Sequence, residues 1–276
     1  MRQIEIQNAD TSTNKITVFE TIVNSETPVI IIFPAMGVRA SFYEPLANAL
    51  AAQGYIAVTA DLRGHGNSNI RPNKKVDFGY KDQLDQDYTH TVQVVKTIYP
   101  SNPIHLLGHS LGGQLACLYA ARHPEQVQGL VLIACCSVYY KGWVGIQRPA
   151  IYLSTQFMRG LANLLGYFPG KKVGFGGLEA KSVMRDWSQQ ARTGKYILAN
   201  DTFDYEDGLN QLDIPVLAIS FASDNFAPKK AVQHLLGKFK NKNRIHHVDL
   251  PKDLKFSHFN WVKKHEKVVE LIKEKI

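Results

Sequence analysis

Apolar residues along this chain fall into two alternating rhythms. Short unbroken runs (Val29 to Phe33, Tyr55 to Ala60, Ile104 to Leu107, Gln128 to Ala134 and Ile214 to Phe221) suit strands buried on both faces. Between them lie segments with helical spacing, predicted from Ser41 to about Ala52, Lys81 to Ile98, Leu111 to Arg122, Pro228 to Phe239 and Phe259 to Lys275. Two early segments, Arg2 to Gln7 and Lys15 to Val23, alternate with period two and predict an opening hairpin. Ser41 with Glu44 reads as a capping box for the first helix, and a strand from Arg244 to Val248 precedes the last one. Strands alternating with helices predict a mostly parallel α/β sheet covered on both faces.

The rhythm breaks between Cys135 and about Asn210. Trp143, Tyr152, Phe157, Tyr167, Phe168, Phe175, Trp187 and Tyr196 crowd this segment, with glycines among them. Amphipathic helices are predicted near Ile151 to Leu165 and Lys181 to Ala191. So long an interruption is unlike a plain loop. The expected organisation is therefore a core of residues 1–134 and 211–276 with an inserted cap at 135–210.

The chain has 276 residues, 45% hydrophobic and 20% charged, which suits one large globular unit with an insertion. Its formal charge is +8. The lysines, however, are spread in pairs, and the last helix mixes Glu266, Glu270 and Glu274 among its cations. No basic-plus-aromatic groove motif is present, so nucleic acid is not an expected partner. Cys117, Cys135 and Cys136 are too few for a disulfide framework. With no apolar leader after Met1 and no apolar run of spanning length, a cytoplasmic location without a membrane span is expected.

The most informative stretch is Gly108-His109-Ser110-Leu111-Gly112, a G-x-S-x-G between an apolar run and a helical segment. In a strand–turn–helix context this pattern holds a serine hydroxyl out of the fold on a strained backbone. Serine attacks only when a base takes its proton, and the base needs a carboxylate to orient it. Among ten histidines, His258 is the one in a loop after the final strand and before the last helix. Asp224 follows the Ile214 to Phe221 strand directly; Asp249 and Asp253 are rivals in the loop that carries His258. An oxyanion hole needs two preorganised N–H donors. The candidates are the backbone of Leu111, after the serine, and of Met36, in the loop after the Val29 to Phe33 strand.

The quoted residues, with Asp61-Leu62-Arg63-Gly64-His65-Gly66-Asn67-Ser68 and the order Ser, Asp, His, resemble the α/β-hydrolase superfamily. The likeness is to its serine hydrolase branch of esterases, lipases, thioesterases and serine aminopeptidase-like enzymes. It runs the whole length and is looser over the cap. Many members carry His-Gly before the oxyanion residue, where this chain has Pro34-Ala35. The resemblance implies a sheet of about eight strands with helices on both faces and an inserted helical cap. It implies the triad Ser110, Asp224 and His258, and a structural role for the Asp61 to Ser68 turn. The expected activity is hydrolysis of carboxylic esters or thioesters of a small, partly hydrophobic substrate through an acyl-enzyme. An acyltransferase using the same triad and a non-catalytic binding protein of this fold are the alternatives. No cofactor and no metal is expected, since neither ligand spacing nor a phosphate-cradling loop is present. Oligomeric state and natural substrate lie outside the sequence.

Overall fold

The computed structural model describes residues 1–276. Eight strands form the main sheet: β1 (Arg2–Gln7), β2 (Thr13–Phe19), β3 (Val29–Phe33), β4 (Ile56–Ala60), β5 (Ile104–His109), β6 (Gly129–Ile133), β9 (Val216–Phe221) and β10 (Ile245–Leu250). Two short strands, β7 (Tyr167–Pro169) and β8 (Leu178–Ala180), pair apart from it. The order across the sheet is β1-β2-β4-β3-β5-β6-β9-β10. Pairing is antiparallel at β1–β2 and β2–β4 and parallel from β4 to β10.

The continuous apolar runs have a simple cause. Alternate residues of a strand face opposite sides of the sheet, and here both sides are covered. Val29, Ile31 and Phe33 enter one core with Leu115 and Val92, whereas Ile30 and Ile32 enter the other with Leu46, Leu50 and Ile272. Helices Thr89–Ile98 and Leu111–Arg122 cover the first face; Glu44–Ala52 and Glu266–Lys275 cover the second.

Strand β3 sits between β4 and β5, so the chain winds away from it in both directions. A crevice opens at such a reversal, beyond the carboxyl ends of the strands. The loops after β3 and β5 meet there, and they carry Met36 and Ser110.

Local details depart from the pattern-based reading. The Ser41–Glu44 capping box does not form: Ala40–Tyr43 is a 3-10 turn, and helix Glu44–Ala52 has no side-chain cap. The Ala40 N–H instead donates to Asp61 Oδ1 at 2.7 Å. The helix predicted at Lys81 to Ile98 contains a π-helical turn, Gln83–Tyr88. Between β6 and β9 the chain leaves the sheet and forms helices Gln147–Leu165 and Lys181–Thr193, which pack on each other. The β7–β8 hairpin lies between them in sequence, and helix Tyr205–Gln211 follows, against Leu111–Arg122. The hairpin and this last helix have too short an apolar repeat to be read from sequence.

Candidate active site

Strand β5 ends at His109, helix Leu111–Arg122 starts one residue later, and Ser110 makes the whole turn at φ 53°, ψ −117°. A non-glycine residue with positive φ is strained and persists only where its surroundings fix it. Here the Ser110 N–H donates to the Ile133 carbonyl at 3.1 Å, and its own carbonyl accepts from Gly113 and Gln114. The flanking glycines are required by space. A Cβ on Gly108 would lie 2.2 Å from Gly113 Cα, and one on Gly112 would lie 2.5 Å from the Phe33 carbonyl oxygen.

Asp224, just past β9, uses its two oxygens for different tasks. Oδ1 accepts the N–H groups of Phe226 (2.8 Å) and Ala227 (3.2 Å), which pins the loop. Oδ2 lies 2.7 Å from His258 Nδ1. A carboxylate only accepts, so Nδ1 carries the proton of this bond. Both side chains are buried. The rival acids are engaged elsewhere or in solvent: Asp249 accepts from Ser220 and pairs with Lys229, and Asp253 is exposed. The structure thus joins Asp224 to His258 and sets Ser110 and His258 on the wall of one cavity. It forms no hydrogen bond between Ser110 and His258, the loose geometry common in sites without substrate.

Neither the Met36 nor the Leu111 N–H is engaged by another group of the chain. The loop that carries Met36 is held from both sides. The Ala35 N–H donates to Tyr43 Oη at 3.0 Å. Gly37, at φ +75°, packs so closely on the β7–β8 connection that a Cβ would meet Gly177 N at 2.1 Å. Pro34-Ala35 is thereby held just after β3, at the sheet's switch point.

The cavity measures about 290 Å³ and is mainly apolar. Leu111, Val138, Trp143 and Phe226 line it, with Ile151 and Met158 from helix Gln147–Leu165. Trp143 is locked by its Nε1–H donating to the Asn225 carbonyl.

One feature of the site has no sequence signal. His109 is buried, with Nδ1 2.7 Å from Tyr43 Oη and Trp261 Nε1–H directed at Nε2. Burial, with the nearby His258, holds its pKa well below the ordinary imidazole value, so it stays neutral. The Tyr43 hydroxyl therefore links the residue before Ser110 to the residue before Met36, and only the folded chain brings them together.

The Asp61–Ser68 turn is structural in its contacts. Asp61 accepts from Ala40 and Asn67, and Arg63 forms a buried ion pair with Asp87 from the π-helical turn. His65 reaches β8, with Nε2 3.2 Å from Glu179 Oε2. The cysteines are free and buried, and burial raises their thiol pKa values. No group of three or more His, Cys, Asp or Glu side chains is arranged to hold a metal ion.

Strand order, serine turn and the acid–histidine pair after the last two strands together define an α/β-hydrolase. The profile of the serine aminopeptidase family, S33, matches residues 24–206, and the chain belongs to that family. Mouse monoglyceride lipase (Mus musculus) is 34% identical over 112 residues, covering 40% of this chain and 36% of the lipase. The chain thus aligns with about a third of the length of the monoglyceride lipases it matches. The pimeloyl-[acyl-carrier protein] methyl ester esterase of Shewanella woodyi is 26% identical over 215 residues, covering 73% of this chain and 77% of that one. In fold, the ferulic-acid-bound Est1E of Butyrivibrio proteoclasticus superposes with a TM-score of 0.70 at 17% identity, covering 99% and 98% of the two chains.

Proposed function

We propose that the protein is a serine hydrolase that cleaves a carboxylic ester or thioester through an acyl-enzyme. The observation that carries this reading is the 2.7 Å Asp224–His258 bond on the wall that also presents Ser110 at positive φ. In the reaction Ser110 Oγ attacks the carbonyl carbon while His258 Nε2 takes its proton. Asp224 holds the imidazole by Nδ1 and stabilises the imidazolium. The oxyanion that forms accepts hydrogen bonds from the Met36 and Leu111 N–H groups. Collapse expels the alcohol or thiol, which leaves with the proton from His258. Water then repeats the sequence on the acyl-serine, with His258 as base. Neither a metal nor a cofactor enters these steps.

The apolar cavity favours a substrate with a hydrocarbon group beneath helix Gln147–Leu165. Esterase and lipase relatives point the same way. We treat residues 135–210 as a cap over a core of 1–134 and 211–276, because Val138, Trp143, Ile151 and Met158 line the cavity together with Ser110 and His258. A p-nitrophenyl ester series tests the reading. Ser110→Ala is expected to lower kcat by about 10⁶-fold, and a fluorophosphonate probe to label the Ser110 peptide and no other. Turnover that survives the substitution removes Ser110 from the mechanism.

A further inference from the structure

The cavity wall is mainly apolar, and one of its polar side chains has no part in the reaction. Gln114 lines the cavity with Ser110 and is 2% exposed. Its backbone N–H donates to the Ser110 carbonyl at 3.2 Å, so the residue stands one helical turn from the nucleophile. The two ends of its amide are held differently. Oε1 accepts the Tyr196 hydroxyl at 3.0 Å. Burial holds the Tyr196 phenol well above its usual pKa, so the hydroxyl keeps the proton that it donates. A hydroxyl proton on Oε1 fixes which way the amide faces. Nε2 donates to no group of the chain, and yet it is not sealed inside protein. Its N–H groups are open to the cavity that Gln114 lines.

Most other polar side chains of the wall are already engaged. Trp143 Nε1–H goes to the Asn225 carbonyl, and the Cys136 thiol to that of Phe226. The Ser154 and Thr155 hydroxyls donate to the carbonyls of Ile151 and Tyr152. Outside the triad only Trp187 brings a further side-chain N–H, and its ring packs on Phe175 with centroids 5.3 Å apart. No aspartate, glutamate, lysine or arginine lines the cavity. A charged group carried in by a ligand would lose its water and find no counter-ion. An amide N–H left unpaired in an apolar wall is unfavourable, and an aliphatic side chain there would avoid that cost. The arrangement fits a ligand that is hydrocarbon over most of its length and brings one uncharged acceptor to Gln114.

We propose that Gln114 is a specificity-determining residue of the ester site, whose Nε2–H donates to a neutral oxygen (ether, carbonyl or hydroxyl) borne on the acyl chain of the substrate. The proposal rests on the serine hydrolase reading above and adds the class of acyl group to it. Tyr196 lies between β6 and β9, so that segment sets which atom of the Gln114 amide the substrate meets.

The test compares p-nitrophenyl heptanoate with analogues in which one chain methylene is replaced by an ether oxygen, at each position in turn. Wild type is expected to favour one of the ether esters over heptanoate in kcat/KM. In Gln114→Leu/Tyr196→Phe, which removes both partners of the buried bond together, that preference is expected to fall about tenfold. Gln114→Leu alone is expected to shift the ratio equally, with a lower melting temperature because the Tyr196 hydroxyl loses its acceptor. The same ratios are read as dissociation constants in Ser110→Ala protein, from quenching of Trp143 and Trp187 by the bound nitrophenyl group. An unchanged ratio in the double variant overturns the proposal, and so does a wild type that favours heptanoate over every ether ester. A carboxylate-ended analogue preferred to all of them overturns the neutral class. Failure of the serine hydrolase reading shows differently, as turnover that survives Ser110→Ala or is absent from wild type. In either case the ratio, in turnover or in binding, still reports on Gln114.

Discussion

Two helices flank the cavity and are held in opposite ways. Leu111–Arg122 is buried from Leu111 to Ala121, glycines included, and its first turn abuts the Phe33 and Pro34 carbonyls. Gln147–Leu165 buries only Thr155 and Ala162. The first helix is fixed by close packing on every side, which is what a strained Ser110 needs. The second is a roof with one face on the cavity and the other in solvent. On the proposed reading, reaction geometry belongs to the sheet and substrate selection to the segment between β6 and β9.

This division is broken most strongly through the chemistry. Asp224→Asn is expected to cut kcat by about 10⁴-fold, because an amide can present its N–H to Nδ1 and hold the wrong tautomer of His258. Met158→Ala in the roof is expected to leave kcat for a short ester intact and to alter kcat/KM for longer acyl chains by about tenfold. Steady-state kinetics over a graded chain-length series separates the two. If Met158→Ala lowers kcat for every substrate alike, the roof takes part in the reaction geometry.

Stability sharpens the same contrast. Leu115, fully buried in the sheet-facing helix, is expected to cost about 2–5 kcal/mol when cut to alanine. Leu153→Ala, on the outer face of the roof, is expected to change unfolding free energy by no more than about 0.5 kcal/mol. Urea denaturation measures both, and comparable losses would mean the roof helix is packed by something other than its visible neighbours.

The smallest effect concerns pH. Burial lowers the pKa of His105, on the nucleophile strand, to about 4, and that of His109 well below the usual value. The unfolded chain takes up protons near pH ~6.5, before the folded chain does, so folding is favoured above that pH and loses stability as pH falls toward 4. His105→Gln is expected to flatten part of this acid slope in melting temperature. An identical slope in the His105 variant would assign the acid sensitivity to His109 and the buried ion pairs.

Much of the catalytic layer was legible beforehand because its signals are local. Fully apolar strands, Gly108 and Gly112 around Ser110, and Pro228 after the Asp224 turn each follow from backbone sterics over a few residues. Pro228 itself precedes helix Lys229–Leu236 as its N-cap residue. The capping box at Ser41 failed for the opposite reason. Asp61, twenty positions on, supplies the acceptor at Ala40, and no local pattern announces that.

The sequence by itself determined the α/β alternation, the serine turn and the order in which base and acid arrive, since all three are written in short-range hydrophobic and glycine spacing. Only the tertiary structure decided that Asp224 and not Asp249 meets His258, that Tyr43 ties His109 to Ala35, and that one side of the roof helix is left bare. Each of those depends on distances between segments far apart in the chain, which are set when the sheet's two faces are packed and by nothing closer at hand.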